Sequence, residues 1–254
     1  MPFGDRVLQR GTANDDIVEL QIRLAGFRGT LLDGDFGPGT ELQVMQFQRD
    51  FMRQVSPTGI VDAQTFAAIH RLGSLHPIDF AKLRCPCGHC GGFGQNRFRD
   101  QYEPGKPQAE AFHRYEYPGI HRMLLWAVRA LFHYSPGQQF LITSGYRCPI
   151  RNQQTGRSST NHHGKAIDLD VAGAPGEDKR DDMSRCDAIR ALLVAQSNAQ
   201  TGWSAPNRKA LEPANIAPTW VHYDVRCYDR KYLDDRFFCR TLAELDGVRP
   251  ALTV

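Results

Sequence analysis

The part of the sequence that decides the fold is the stretch Ser159-Thr160-Asn161-His162-His163-Gly164-Lys165-Ala166-Ile167-Asp168-Leu169-Asp170, which holds two histidines, one glycine and two aspartates. Residues 166–171 alternate apolar or small with polar side chains, so they predict a β-strand. Asp168 and Asp170 would then lie on one face of that strand. Gly164 allows the backbone to turn just before the strand, which would place His162 on a loop close to Asp168.

Two further stretches are predicted to lie beside this strand. Upstream, residues 139–143 predict a strand that ends in Ser144-Gly145-Tyr146-Arg147. Downstream, residues 219–225 predict a strand with His222 and Asp224 on one face. A catalytic zinc ion has about three protein ligands and leaves a position for water, and imidazole with carboxylate suits zinc better than magnesium or calcium. The candidate zinc ligands are therefore His162, Asp168 and His222.

In this order, the three blocks resemble the zinc-dependent peptidases of family M15, which include D-Ala-D-Ala carboxypeptidases and L-Ala-D-Glu endopeptidases. The resemblance covers roughly residues 77–240 and rests on Ser-Gly-Tyr-Arg, on Ser/Thr-x-His-x-Gly-x-Ala-x-Asp and on His-x-Asp. It implies that zinc is the cofactor and that His162, Asp168 and His222 bind it. It also implies that Arg147 contacts the substrate or the developing oxyanion, with Ser144 and Tyr146 in the same substrate-binding segment.

The sequence departs from the family pattern in two places. The family form commonly has its histidine seven positions before the aspartate, whereas His162 is six positions before Asp168, so His163 stays open as an alternative ligand. Many members also have an acidic general base three positions before the last histidine, where this chain has Thr219. Asp224 is the first candidate for the base and Glu212 the second, and Asp224 could equally orient a ligand imidazole.

The N-terminal segment, residues 1–73, contains two related turns, at 33–40 and 58–65, each with glycine and each ending in threonine. Threonine is a good helix cap, so Thr40 and Thr65 are predicted to start helices. Apolar residues at positions i, i+3 and i+7 predict amphipathic helices. The pattern resembles the peptidoglycan-binding type 1 domain, which implies a three-helix unit with peptidoglycan as partner.

A short run between the two segments is rich in cysteine. Cys85, Cys87 and Cys90 lie with His89 in six residues, a density typical of metal sites. A structural zinc would need a distant fourth ligand, such as Cys148, Cys186 or Cys239. Disulfides, or reduced thiols on a tight turn, are the alternatives.

Together these patterns predict an α+β fold in three parts. Residues 1–73 form the helical peptidoglycan-binding domain, residues 74–92 a linker and Cys-rich turn, and residues 93–254 a zinc peptidase domain with a central antiparallel sheet. Within the last part we expect a helix from Pro118 to about Phe132, a second helix at 187–196, and an irregular stretch at 198–218.

The expected function is that of a zinc metallopeptidase which cuts peptidoglycan stem peptides or cross-links as an antibacterial endopeptidase, as an endolysin does. A D-Ala-D-Ala carboxypeptidase and a non-catalytic wall-binding protein with a structural zinc are the alternatives. The net charge of +3, without a dense basic cluster, argues against nucleic acid, and no apolar run approaches the ~20 residues of a membrane helix.

The N-terminal sequence also indicates where the protein is made and where it acts. The N-terminus lacks the apolar core of a signal peptide. We therefore expect synthesis in the cytoplasm and action in the periplasm or cell wall after non-classical delivery, with an export machinery or an immunity partner.

Overall fold

The computed structural model describes residues 3–29, 32–94, 116–157, 161–173, 177–202, 209–225 and 230–246. Its N-terminal part contains α1 (Asp15–Arg23), α2 (Pro38–Asp50) and α3 (Ala63–Leu75). Their apolar faces meet in a core that includes Ile17, Leu20, Val44, Phe47 and Ile69, all with no exposed surface. The predicted three-helix arrangement is therefore present, and α3 runs two residues past the predicted boundary at 73.

The two related turns are each held by a buried glutamine from the preceding helix. The Gln21 side-chain oxygen accepts the N–H groups of Asp33 and Gly34 at 3.2 and 3.0 Å. In the same way, the Gln48 oxygen accepts those of Thr58 and Gly59 at 3.0 and 2.9 Å. The internal repeat of the sequence thus corresponds to a repeated contact, in which one glutamine oxygen accepts two turn amides.

The predicted caps at Thr40 and Thr65 were wrong by one turn. Helix α2 has Gly37 as its N-cap and Pro38 as its first residue, and α3 has Asp62 as its N-cap. The Asp62 carboxylate accepts the Thr65 N–H at 2.8 Å. A carboxylate is at least as good a cap as a hydroxyl, so both threonines lie inside the first turn.

The second part is built on a five-stranded sheet in the order β2-β3-β6-β5-β4. Its strands are β2 (Phe140–Ser144), β3 (Ala166–Val171), β4 (Ala199–Thr201), β5 (Lys209–Leu211) and β6 (Val221–Val225). Neighbours run antiparallel, as predicted, except for β4 and β5, which are parallel. A separate two-stranded antiparallel pair joins β1 (Ile120–His121) to β7 (Phe238–Cys239).

Five helices and two 3₁₀ turns (Arg230–Leu233 and Asp235–Phe237) complete the described fold: α4 (Phe80–Leu83), α5 (Arg122–Tyr134), α6 (Pro149–Gln154), α7 (Lys179–Gln196) and α8 (Leu242–Asp246). The helix predicted from Pro118 begins only at Arg122, because the preceding residues pair with β7. Helix α7 begins eight residues earlier than predicted, at Lys179, capped by Asp178. The stretch predicted to be irregular contains β4 and β5.

Helix α5 lies at the centre of the molecule. Leu124, Leu125, Trp126, Ala127 and Val128 have no exposed surface, since α5 contacts α1 and α3 on one side and β6 on the other. Gly26 fits so closely that a Cβ added there would lie 2.1 Å from the Ala130 Cβ. The N-terminal helices and the sheet therefore share one core. Within the described part of the chain, no helix has the length and apolar character needed to cross a bilayer.

Candidate metal centre

The three predicted zinc ligands lie together at the start of β3. Asp168 on β3 is directly opposite His222 on β6, and the loop before β3 brings His162 against both. Asp168 Oδ2 is 3.3 Å from His162 Nε2, and Asp168 Oδ1 is 2.8 Å from His222 Nδ1. One ligand atom from each residue lies within 4.8 Å of the others.

The structure places His162, and not His163, next to Asp168 and His222. The His162 Nδ1 donates to the Gly145 carbonyl at 2.9 Å; a carbonyl only accepts, so Nε2 keeps its lone pair and faces Asp168. Burial lowers the pKa of His162, while Asp168 acts in the opposite direction, and the neutral imidazole that results is the form that binds metals. His163 instead places its Nε2 3.3 Å from the Asn152 amide.

His222 is flanked by two carboxylates. Its Nδ1 faces Asp168, and its Nε2 is 3.2 Å from Asp224 Oδ2. Burial lowers the pKa of His222, but the hydrogen bonds to Asp168 and Asp224 outweigh it and raise that pKa to about 10. Burial raises the pKa of Asp168, but His162 and His222 outweigh it and hold that pKa far below its usual range. The surroundings of His222 thus strongly favour positive charge.

This donor set fits zinc. Two imidazole nitrogens and one carboxylate oxygen form a three-ligand set of the catalytic type, and hydrogen bonds to Gly145 and Asp224 hold the two rings in place. Such bonds from the second ring nitrogen are the usual support of a metal-binding histidine.

A pocket of about 840 Å³ opens in front of Asp168 and His222. Its lining is rich in cationic side chains, from Lys82, Arg84, Arg147, Arg151 and Arg157, alongside the acidic Asp168, Asp170 and Glu212. Of these cations the sequence predicted only Arg147. The spacing of four residues between Arg147 and Arg151 could have indicated Arg151 as a second pocket residue. The placement of Lys82 and Arg84 in the pocket depends on the fold, so no local pattern could predict it.

Arg147 lies half-buried at the pocket wall. Its main-chain N–H donates to the His162 carbonyl at 2.8 Å, which ties the two predicted segments together. Burial lowers the pKa of the Arg147 guanidinium, and Asp168 acts in the opposite direction. Among the described residues, none accepts a hydrogen bond from its buried Nε. Because Arg147 lines the pocket, its guanidinium can bind an anion there.

Ser144 and Tyr146 have different surroundings. The Ser144 hydroxyl is 3.4 Å from His162 Nδ1 and lies in the pocket lining. Tyr146 belongs to the same wall but has no exposed surface, and a Cβ added at Gly94 would lie 2.3 Å from its hydroxyl. This placement favours a role for Tyr146 in supporting the wall over the predicted substrate contact.

The two candidates for the general base also differ. Asp224 is completely buried and contacts His222 on the side away from Asp168, and Asn161 donates to its Oδ2 at 3.3 Å. Glu212 is partly exposed and lines the pocket. Glu212 can therefore meet a molecule in the pocket, whereas Asp224 contacts the His222 ring.

Comparison with known proteins finds a domain family and two kinds of relative. Residues 13–69 match the family model of a putative peptidoglycan binding domain. Over 177 residues, or 66% of this chain, the sequence is 27% identical to the zinc D-Ala-D-Ala carboxypeptidase of Streptomyces albus G, of which 62% is covered. Over 66 residues, or 25% of this chain, it is 42% identical to the spore cortex-lytic enzyme of Bacillus subtilis, of which 21% is covered.

A second spore cortex-lytic enzyme, from Oceanobacillus iheyensis, is 40% identical over 55 residues, which are 21% of this chain and 20% of that protein. The chain thus spans less than two thirds of the carboxypeptidase and about a fifth of the cortex-lytic enzymes. Both predicted resemblances, to a zinc peptidase and to a peptidoglycan-binding domain, are confirmed. The grouping of His162, Asp168 and His222 agrees with the predicted zinc cofactor.

Proposed function

We propose that this chain is a zinc-dependent peptidase that hydrolyses peptide bonds in the stem peptides or cross-links of peptidoglycan. The observation that carries the proposal is the convergence of His162, Asp168 and His222 at the wall of a pocket that Arg147 also lines. The similarity to a zinc carboxypeptidase and the match to a peptidoglycan-binding family point to the same polymer.

His162, Asp168 and His222 would hold the zinc ion. When bound, zinc supplies Lewis-acid chemistry, which polarises a carbonyl and makes water a better nucleophile near neutral pH. The protein's own contribution is to fix the ligands: the Gly145 carbonyl orients His162, and Asp224 orients His222.

We assign proton transfer to Glu212, which would take a proton during attack and return it to the leaving amine. Asp170 also lines the pocket, but its Oδ1 accepts the Val171 N–H at 2.8 Å and its carboxylate lies near Asp182 and Cys186. Glu212 is therefore the better placed of the two lining carboxylates that are not zinc ligands.

Substrate binding falls to Arg147 and the cations around it. A guanidinium can bind a carboxylate through two parallel hydrogen bonds, and Arg147 lines the pocket. Stem peptides carry several free carboxylates along their length. Cations spread over the whole pocket match such a chain better than a single terminal carboxylate, and this favours an endopeptidase.

The N-terminal unit would hold the enzyme on its polymer. Attachment raises the effective concentration of cleavable stems without any new contact in the pocket. Because this unit packs against α5, its bound polymer would lie in a fixed direction relative to the pocket. We place the activity in the periplasm or the cell wall, where the polymer is.

The second candidate is a D-Ala-D-Ala carboxypeptidase, which is what the Streptomyces albus G relative is named. In that case Arg147 would bind the terminal carboxylate of the stem. The two candidates place the same catalytic groups on different bonds, so product analysis distinguishes them.

The test is digestion of purified peptidoglycan and of a synthetic stem pentapeptide, with products identified by mass spectrometry. An endopeptidase releases internal fragments from the polymer, whereas a carboxypeptidase releases only free D-Ala from the pentapeptide. His222→Ala should abolish either activity, and Arg147→Gln should mainly raise KM. A wild type that is loaded with zinc but cleaves neither substrate would overturn the proposal in favour of a wall-binding protein.

A further inference from the structure

We propose that Cys85, Cys87, Cys90 and Cys148 bind a second zinc ion, whose role is structural. The fold brings Cys148, at the start of α6, against the Cys-rich turn more than fifty positions earlier, and one sulfur from each of the four residues lies within 4.8 Å of the others. Three of the four residues are buried and Cys90 is half-buried. Four thiolates in a closed arrangement are a standard structural zinc site.

The sulfur separations fit a shared metal ion. The four cysteines of the cluster form no disulfide with one another, and the Cys87 and Cys148 sulfurs are 3.5 Å apart. In a disulfide the two atoms would be about 2.05 Å apart, whereas a tetrahedral zinc ion with Zn–S bonds of about 2.3 Å separates neighbouring sulfurs by roughly 3.8 Å. The observed separation is close to the second value.

Backbone amides surround the sulfurs in a way that favours thiolates. Cys87 Sγ accepts the N–H groups of His89 and Cys90 at 3.2 and 3.3 Å. The other three sulfurs also accept backbone N–H groups: Cys90 from Gly92 at 3.3 Å, Cys85 from Cys148 at 3.4 Å, and Cys148 from Arg151 at 3.5 Å. Each donor stabilises negative charge on its sulfur, and such donors around the ligands are a regular part of a metal site.

The nearby charges support the same assignment. Four thiolates around one divalent ion leave a net charge of −2, and the chain places Arg84 next to Cys85 and Arg147 next to Cys148. An all-thiolate tetrahedral set selects zinc or iron and excludes magnesium and calcium. We assign zinc.

The position of this second site indicates its structural role. Leu83, two residues before Cys85, accepts the Tyr146 N–H at 2.8 Å, and Cys148 directly follows Arg147. A metal ion bound to both segments would cross-link the turn to the wall that carries Ser144 and Arg147. The second zinc ion would therefore stabilise the substrate side of the pocket without taking part in the reaction.

The experiment measures metal content in full-length protein purified under reducing conditions without a metal-affinity tag. We expect two zinc ions per chain in the wild type, one in Cys87→Ser, one in His222→Ala, and none in the double variant. Cys239→Ser, which removes a buried thiol outside the cluster, should keep two. Because each single variant loses a different zinc ion, failure of this proposal is distinguishable from failure of the catalytic assignment.

A second measurement does not depend on the folding of the cysteine variants. His222→Ala loaded with cobalt in place of zinc should show the near-ultraviolet charge-transfer absorption of thiolate-bound cobalt. The proposal would be overturned by the absence of that absorption. It would also be overturned by a protein mass that is lower than expected by the four hydrogens lost in two disulfides, or by iron instead of zinc bound in a cysteine-dependent way.

Discussion

At the scale of single residues, substitutions of Glu212 and Asp224 should impair different properties: the catalytic rate for Glu212 and the zinc affinity for Asp224. Glu212→Gln should lower kcat by about 100-fold or more, the usual contribution of a general base, with zinc content unchanged. Asp224→Asn should weaken zinc affinity by roughly 10- to 100-fold, because it removes the negative charge of the carboxylate that orients His222. Its activity should recover in excess zinc.

Metal titration alongside steady-state kinetics checks this prediction. Asp224→Asn that binds zinc normally but stays inactive in excess metal would show that Asp224 transfers the proton. His163→Ala is the matched control, because His163 contacts Asn152 rather than the ligand group, and it should retain its zinc.

The sequence could predict that Asp168 and His222 belong to one site but not that Asp224 is buried, for a physical reason. Asp168 and His222 follow strand periodicity, so their common face could be predicted from the pattern alone. The burial of Asp224 depends on β6 lying between β3 and β5, with every one of its residues buried. That environment arises from strand order, which a local pattern does not contain.

At the scale of elements, the contact between α4 and the end of β2 should be sensitive to a single methyl group. A Cβ added at Gly145 would lie 2.5 Å from the Leu83 Cα and 2.7 Å from its carbonyl oxygen, so backbone must move. Gly145→Ala should destabilise the protein by about 1–3 kcal/mol, as overpacking does. It should also weaken zinc binding, because the Gly145 carbonyl orients His162.

Thermal unfolding and zinc titration test this element directly. Gly37→Ala is the control, since a Cβ there would have nothing within 4 Å, and it should leave zinc affinity unchanged. Normal zinc affinity in Gly145→Ala would contradict the role given to the carbonyl.

Element types were more predictable than their ends. The alternation at residues 166–171 corresponds to β3, and the helix predicted at 187–196 corresponds to the second half of α7. The caps at Thr40 and Thr65 were misplaced because Gly37 and Asp62 compete for the same position. Strands β4 and β5 were missed because each has only three residues, too few to establish a period.

At the scale of the whole molecule, buried His121 should make stability depend on pH. Burial lowers the pKa of His121 to about 3, which outweighs the hydrogen bond to the Tyr232 carbonyl. The unfolded chain protonates this ring near pH 6.5. Above that pH the ring is neutral in both states and the free energy of unfolding is at its full value; below it, protonation favours the unfolded chain and the free energy of unfolding falls. At pH 5 the loss is about 2 kcal/mol, from ~1.4 kcal/mol for each unit below 6.5.

His121→Phe should remove that dependence, because an apolar ring can still pack against Phe237 and Phe238, which His121 contacts at 5.8 and 5.1 Å between ring centres. The measurement is the free energy of unfolding at pH 7 and pH 5 in both proteins with zinc in excess. Exposed His89 provides the control, as His89→Gln should keep the wild-type difference. An equal loss between pH 7 and pH 5 in His121→Phe and the wild type would refute the assignment.

A buried ion pair links the N-terminal helices to the rest of the molecule. Glu19 on α1 accepts from Arg122 on α5 at 2.6 and 2.8 Å and from Arg23 at 2.6 Å. Burial raises the pKa of Glu19, but Arg122 and Arg23 outweigh it and lower that pKa. Glu19→Gln would leave two buried guanidinium groups without their carboxylate, which typically costs about 3–5 kcal/mol.

Because this contact joins the two parts, we expect Glu19→Gln to lower a single unfolding transition rather than to release the N-terminal helices alone. Calorimetry should show one transition in the wild type and one, at lower temperature, in the variant. Glu41→Gln removes an exposed pair with Arg10 and should change stability by less than about 1 kcal/mol. Two separate transitions in the wild type would mean that the shared core around α5 does not couple the parts, and that the N-terminal unit acts as an independent tether.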